Sequence, residues 1–217
     1  MSLRLSELQF GSLLSYSPNG GMPKDLHSQG VMTLLKTDSF LQPPPVLMSH
    51  WVAQQVRQNI NSMPFATPFQ PTPLLVPVPS SSLMRAGTLW VPQRLAAALA
   101  DQGLGQVVSC LVRTQAVPKA AQSPARLRPT ARRHYETLEV QGRLSEPESV
   151  LLIDDIITRG ATLLGAANRL ADAFPNARIS AFAAMRTVSN PDEFQREYDP
   201  QMGNVRLRED GSTLRRP

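Results

Sequence analysis

The sequence predicts an α/β fold, a mostly parallel twisted sheet flanked by helices, and three observations carry that reading. Strand-like and helix-like stretches alternate between residues 74 and 185, the pattern that puts parallel strands in one sheet with crossover helices on its faces. Val150, Leu151, Leu152 and Ile153 form a short, continuous apolar run, as a strand buried on both faces requires. Directly downstream, Leu163, Leu164, Ala167, Leu170, Ala171 and Phe174 recur at helical spacing until Pro175 ends them.

Residues 1–30 are mixed, and Pro18, Gly20, Gly21 and Pro23 interrupt them, so no regular element is expected there. Val31, Leu34 and Leu35 begin a short helix that ends before Pro43-Pro44-Pro45. Met48, Trp51, Val52, Gln55 and Val56 mark one face of an amphipathic helix reaching about residue 61, with Trp51 as a core anchor. Residues 74–79 read as a strand whose prolines, Pro77 and Pro79, assign it to a sheet edge or to a strand's end. An Ala/Leu-rich helix follows at 91–100, then a strand at 106–112 that delivers Arg113 to the same sheet edge. The segment 114–134 is a long basic loop of the length typical of lids. Strands at 137–140 and 177–185 bracket the central stretch. From about Val188 the chain turns polar and is expected to be a flexible tail. The resulting division is an N-terminal extension with a hood-like helical region (1–72), a core (73–188) and a polar C-terminal tail (189–217).

Composition sets the outer bounds. The chain has 217 residues, 41% of them hydrophobic, a globular composition with enough apolar surface for one substantial core. No apolar run approaches the ~20 residues of a membrane helix, so no membrane partner is expected. The first residues lack a basic start and apolar core, and the single cysteine, Cys110, allows neither a disulfide nor a cysteine-rich zinc site. A cytoplasmic location is the simplest expectation. His27 and His50 have no second metal-ligand type at suitable spacing and are read as structural or exposed. The net charge is +5, unevenly spread. Arg113, Lys119, Arg126, Arg128, Arg132, Arg133 and Arg143 face only Glu136 and Glu139 over 113–143. Such a stretch suits a polyanion, either pyrophosphate or a nucleic-acid backbone.

The chemistry concentrates at residues 150–162, V-L-L-I-D-D-I-I-T-R-G-A-T. A phosphate at a helix N-terminus meets free backbone N–H groups and the positive end of the helix dipole. Gly160 lets the backbone come close, and Thr158 and Thr162 add hydroxyl donors. Replacing Gly160 by valine should then obstruct the cradle and leave the fold largely intact. Asp154 and Asp155 cannot face that phosphate. They suit sugar hydroxyls, or a magnesium ion carried by the ligand. A phosphate at one end and vicinal hydroxyls nearby describe a ribose 5-phosphate.

This stretch resembles the 5-phosphoribosyl-1-pyrophosphate (PRPP) motif of the type I phosphoribosyltransferases: four apolar residues, two acids, two apolar residues, then T-x-G-x-T. L-V-P-V-P-S-S-S-L-M-R-A-G at 75–87 and L-V-R at 111–113, with Gln122, Arg132 and Arg133, resemble the ComF branch of that family, associated with competence for DNA uptake; Lys36 is similar in place to a lysine of that branch. The resemblance implies the type I phosphoribosyltransferase fold, Mg²⁺ entering with PRPP, and transfer of ribose 5-phosphate to an acceptor. It implies ribose contacts at Asp154 and Asp155, which also serve as indirect magnesium ligands, and 5-phosphate contacts at Thr158, Arg159, Gly160, Ala161 and Thr162. Pyrophosphate falls to Ser80, Ser81, Arg113 and Lys119. The alternative is a non-catalytic PRPP- or nucleotide-responsive module acting on nucleic acid or a partner protein, as a homodimer or within a complex. Three departures stand out: there is no N-terminal zinc ribbon, Leu89-Trp90 replaces the Asn-Gln pair usual in the branch, and Arg159 occupies a position where the branch usually has threonine. Arg159 either adds a charge-assisted phosphate contact or points to solvent.

Overall fold

The structure, a computed structural model, describes residues 3–41, 43–118, 128–142 and 145–217. The chain runs through β1 (Glu7–Tyr16), α1 (Pro23–Thr37), β2 (Phe40–Leu41), β3 (Val46–Leu47), α2 (Met48–Asn59), β4 (Leu74–Pro77), α3 (Val91–Asp101), β5 (Gln106–Val107) and β6 (Leu111–Arg113). It continues with α4 (Ala131–Glu136), β7 (Leu138–Val140), β8 (Ser149–Ile157), α5 (Ala161–Ala173), β9 (Arg178–Thr187), β10 (Tyr198–Leu207) and β11 (Thr213–Arg216). Seven strands make the central sheet, in the order β11-β10-β1-β9-β8-β4-β5. The five strands β1, β9, β8, β4 and β5 are parallel; at one edge β10 pairs antiparallel with β1, and β11 antiparallel with β10. The fold is thus α/β with a mostly parallel sheet between helices, as the alternation implies.

β8 shows why its apolar run is continuous. Successive side chains of a strand point to opposite faces, and here both faces are covered. Leu151 and Ile153 join Leu75, Phe182, Leu35, Val56 and Leu95 in the core beneath α1, α2 and α3. Val150 and Leu152 join Val76, Ala181, Leu164, Ala167 and Leu170 beneath α5. Phe182 closes the first core by packing on Phe65 and Phe69, with ring centroids 5.5 and 5.6 Å away.

Several expectations need correction. The mixed N-terminus contains β1, a strand interior to the sheet between β9 and β10. Its serines hid it: Ser12 and Ser15 are buried, and Gly11 lies where a Cβ would stand 2.6 Å from Phe65 Cγ, so small residues are required. α1 begins at Pro23, well before Val31. The polar tail is not a loose end: β10 and β11 pair in register, and Phe194 and Val205 are buried. The sheet therefore draws strands from all three expected segments, and the divisions at 72/73 and 188/189 do not follow it. The strand expected at 106–112 is two: β5 closes the main sheet, whereas β6 pairs with β7 in a separate antiparallel ladder. β4 is an interior strand, yet its proline obeys the expected rule, because β5 pairs only with Leu74 and Leu75 and Pro77 ends the strand beyond it.

Candidate functional site

β8 is longer than its apolar run and carries Asp154 and Asp155 inside the strand, still paired to β9 as far as Ile157. On its other side β4 stops at Pro77, opposite Ile153. The strand edge that bears the two acids is thus open at the carboxyl end of the sheet, where ligands of such sheets bind. Around this opening stand three groups of side chains.

The first is acidic. Lys36, in the last turn of α1, reaches Asp155 Oδ2 at 2.8 Å, and that aspartate side chain is only 14% exposed. Asp154 Oδ1 accepts from the Asp155 amide at 2.9 Å, and Asp155 Oδ1 from the Ile156 amide at 2.6 Å. Burial, and then the charge of Asp155, push the Asp154 carboxyl well above the ordinary range, against a smaller pull from Lys36. Burial pulls the Lys36 ammonium down, but the charge of Asp155, their hydrogen bond and the charge of Asp154 together outweigh it and leave it raised.

The second group is the turn. Gly160 caps α5 with φ +79°, a left-handed conformation, and a Cβ there would stand 2.8 Å from Val205 Cγ1 and nearer still to Cγ2. The glycine is thus demanded by the backbone and by β10 together, which corrects the expectation that valine at 160 spares the fold. Among the described residues no hydrogen bond occupies the amides of Arg159, Gly160, Ala161 and Thr162. They are the free donors of a helix start. Thr158 and Arg159 are exposed, and Thr158 Oγ1 lies 3.4 Å from Thr187 Oγ1.

The third group is cationic. Arg113 is 3% exposed and spends its guanidinium on neutral acceptors: Nε donates to the Ser80 carbonyl at 2.6 Å and Nη1 to Thr137 Oγ1 at 2.8 Å. Its Nη2 lies 3.4 Å from His134 Nδ1, and His134 Nε2 lies 3.2 Å from Thr162 Oγ1. Arginine cannot accept, so Nδ1 must. The neutral ring then carries its proton on Nε2 and donates to Thr162, whose own hydroxyl proton stays free for a ligand. Burial, and then the charge of Arg113, hold His134 down to about 3, which keeps it neutral. Burial lowers Arg113 to about 10, opposed by the charge of Asp154, so it stays charged. Ser80 Oγ accepts from the Ser82 amide at 3.2 Å, and the Ser81 carbonyl accepts from Val117 at 2.9 Å. The serine loop therefore presents a fixed backbone beside Arg113. Trp90, at one of the departures noted above, anchors the same loop through Nε1 to the Val78 carbonyl at 2.8 Å.

The expected residues Ser80, Ser81, Arg113, Asp154, Asp155, Gly160, Ala161 and Thr162 thus gather at one end of the sheet. Arg113 arrives from the β6–β7 ladder and not from the main sheet. Lys119 lies outside the described residues, as do Gln122, Arg126 and Arg143. Arg132 pairs with Glu136 at 2.9 Å. His134 was missed: it sits in a basic run, and only the packing of α4 on α5 shows its neighbours. Among the described residues no group of three or more His, Cys, Asp or Glu side chains is placed to hold a metal. Compared with known proteins, the chain matches no family model and no curated sequence.

Proposed function

We propose that the protein has a type I phosphoribosyltransferase-like fold and site, binds PRPP with magnesium, and transfers ribose 5-phosphate to an acceptor with release of pyrophosphate. The observation that carries this reading is the grouping of an acidic pair, a glycine-started helix with unspent amides and a buried arginine–serine loop around one opening. Asp154 and Asp155 accept from the ribose hydroxyls, and the amides of the 159–162 turn with the Thr162 hydroxyl hold the 5-phosphate. Arg113 and the backbone beside Ser80 and Ser81 face the departing pyrophosphate, which takes the bonding electrons as the anomeric carbon gains positive character. Lys36 has three N–H donors and commits one to Asp155, so it can bridge the acidic group to an anion. The donor set fits a magnesium ion that arrives on the diphosphate and keeps most of its waters. Two carboxyls, one raised and one tied to Lys36, suit that better than a dedicated cage. When bound, the ion would offset charge on the diphosphate.

The test is calorimetry with Mg–PRPP, followed by pyrophosphate release with a panel of bases, nucleosides and DNA. Binding should weaken at least about tenfold in Asp155→Asn, from loss of a charged hydrogen-bond acceptor. Unchanged affinity in that variant would remove the ribose assignment. A second reading, a PRPP- or nucleotide-responsive module without turnover, is favoured by one observation. No free general base stands at the opening among the described residues: burial and the charge of Asp155 raise the Asp154 carboxyl, Asp155 is tied to Lys36, and both ring nitrogens of His134 are engaged. Binding without pyrophosphate release across the whole panel would select it.

A further inference from the structure

A cavity of about 310 Å³ opens between the turn after β8 and the β10–β11 hairpin, lined by Thr158, Arg159, Ser189, Arg208, Thr213 and Arg215 among others. Neither aspartate, nor Ser80, nor Arg113 lines it, and no carboxylate does. Asp210, in the β10–β11 turn, accepts from the Ser212 amide at 2.9 Å, and hydrogen bonding by Ser212, with a smaller pull from the charge of Arg208, holds its carboxyl below the ordinary range. Arg186 is committed to Asp199, through its Nη2 to the carboxylate and its Nη1 to the carbonyl.

Among the described residues, none of the three cavity arginines makes an ion pair with a carboxylate. Arg159 and Arg208 are exposed and make no ion pair or side-chain hydrogen bond among the described residues. Arg215 stands opposite Val205 in the ladder and donates from Nη2 to the Thr187 carbonyl, 6.0 Å from the Phe10 ring centre. Its Nε and Nη1 are buried with no acceptor, and burial, then the charge of Arg186, lower it to about 10. Like charges around one concavity repel. Buried donors without partners add a further cost. A bound anion offsets both, and guanidinium groups with hydroxyls are the donor set that recognises phosphoryl oxygens.

We propose that this cavity is a second anion site that takes a phosphoryl dianion, either free phosphate or the terminal phosphate of a small nucleotide. Its volume falls at the small end of ligand pockets, roughly 300–1,000 Å³, which favours a small molecule over a polymer. Arg159 contributes its side chain here, whereas the ribose-phosphate reading uses the amides of the same turn. The site stands whether or not PRPP binds.

The experiment is a titration of the ¹⁵N-labelled 217-residue chain in phosphate-free buffer with inorganic phosphate, adenosine 5′-monophosphate and adenosine. The amides of Ser189, Ser212 and Leu214 should shift saturably with the two phosphorylated ligands and stay unmoved by adenosine. Tighter binding of the nucleotide would make a phosphoester the ligand, and equal binding would make it free phosphate. Arg208→Glu should weaken this response at least about tenfold, Arg208→Lys should keep most of it, and Asp155→Asn should leave it unchanged. Arg208 is an exposed hairpin side chain, so its variants fold. Equal affinity in Arg208→Glu, equal shifts with adenosine, or shifts confined to Ser80 and Thr162 would overturn the proposal.

Discussion

The two charged groups flanking the end of β8 are built on opposite principles. On the acidic side, charge is met by charge: Asp155 carries Lys36, and the adjacent Asp154 is pushed toward its neutral form. On the cationic side, the buried guanidinium of Arg113 is met by a carbonyl, a hydroxyl and a neutral imidazole, with no carboxylate. The first arrangement cancels its own field. The second keeps a full positive charge oriented and uncancelled, held in place by dipoles, which is how a site stays prepared for an anion. Under the proposed function, reorganisation on binding would fall on Lys36 and the aspartates, while Arg113, His134 and Thr162 would stay as they are.

The comparison breaks most severely at the turn that both groups share. Gly160→Ala combines a left-handed φ with a Cβ inside Val205, and about 2–4 kcal/mol of folding stability should be lost. Urea denaturation measures it, and a loss of less than about 1 kcal/mol would mean that β10 yields at Val205. Next comes Arg113→Met, which strips the Ser80 carbonyl and the Thr137 hydroxyl of their donor at a cost of about 2 kcal/mol. The same variant sharpens the electrostatic claim. His134 should titrate above its present value of about 3 once the neighbouring charge is gone, yet stay below the ordinary value because burial is the larger cause. Histidine proton shifts across a pH series report this, and an unmoved His134 would remove the coupling.

How much of this was readable beforehand depended on whether the information was local. The motif at 150–162, the helices at 48–59, 91–101 and 161–173, and the alternation of elements are carried by neighbouring residues, and they stand where they were expected. β1 and β10 were hidden because their strand character comes from each other. Ser12 and Ser15 look polar in sequence but are buried, and Gly11 and Gly203 look flexible but must be small because Phe65, Phe10 and the backbone of β11 occupy the space a Cβ would need. The site divides the same way. Its acids and its glycine turn are contiguous and legible. Lys36 was only a position without a partner until α1 set it 2.8 Å from Asp155, and His134 gave no signal at all.

Asp154→Asn tests whether the acidic side is costly. A carboxyl raised in the folded state gives its full stabilising contribution below its ordinary value of about 3.8 and loses it as pH rises through the folded value. The asparagine variant has nothing to lose there. It should melt higher than the wild type at pH 7, with a flatter pH dependence, and bind PRPP more weakly. A lower melting temperature at pH 7 would show that the ionised carboxylate stabilises the fold.

The smallest effect belongs to Lys36→Met. Its side chain is half exposed, so solvent screening limits the loss at pH 7 to less than about 1 kcal/mol. The sign with pH is the informative part. Lys36 pulls Asp154 downward, so its removal lets that carboxyl rise further, and the stability lost between acid and neutral pH grows larger and extends to higher pH. Wild type and variant should therefore diverge progressively from pH 4 to pH 7 in urea midpoints, and converge at the acid end, where Asp154 keeps its proton in both. A constant offset across that range would mean that the ammonium contributes packing alone, and the acidic group would then hold its charge without help from α1.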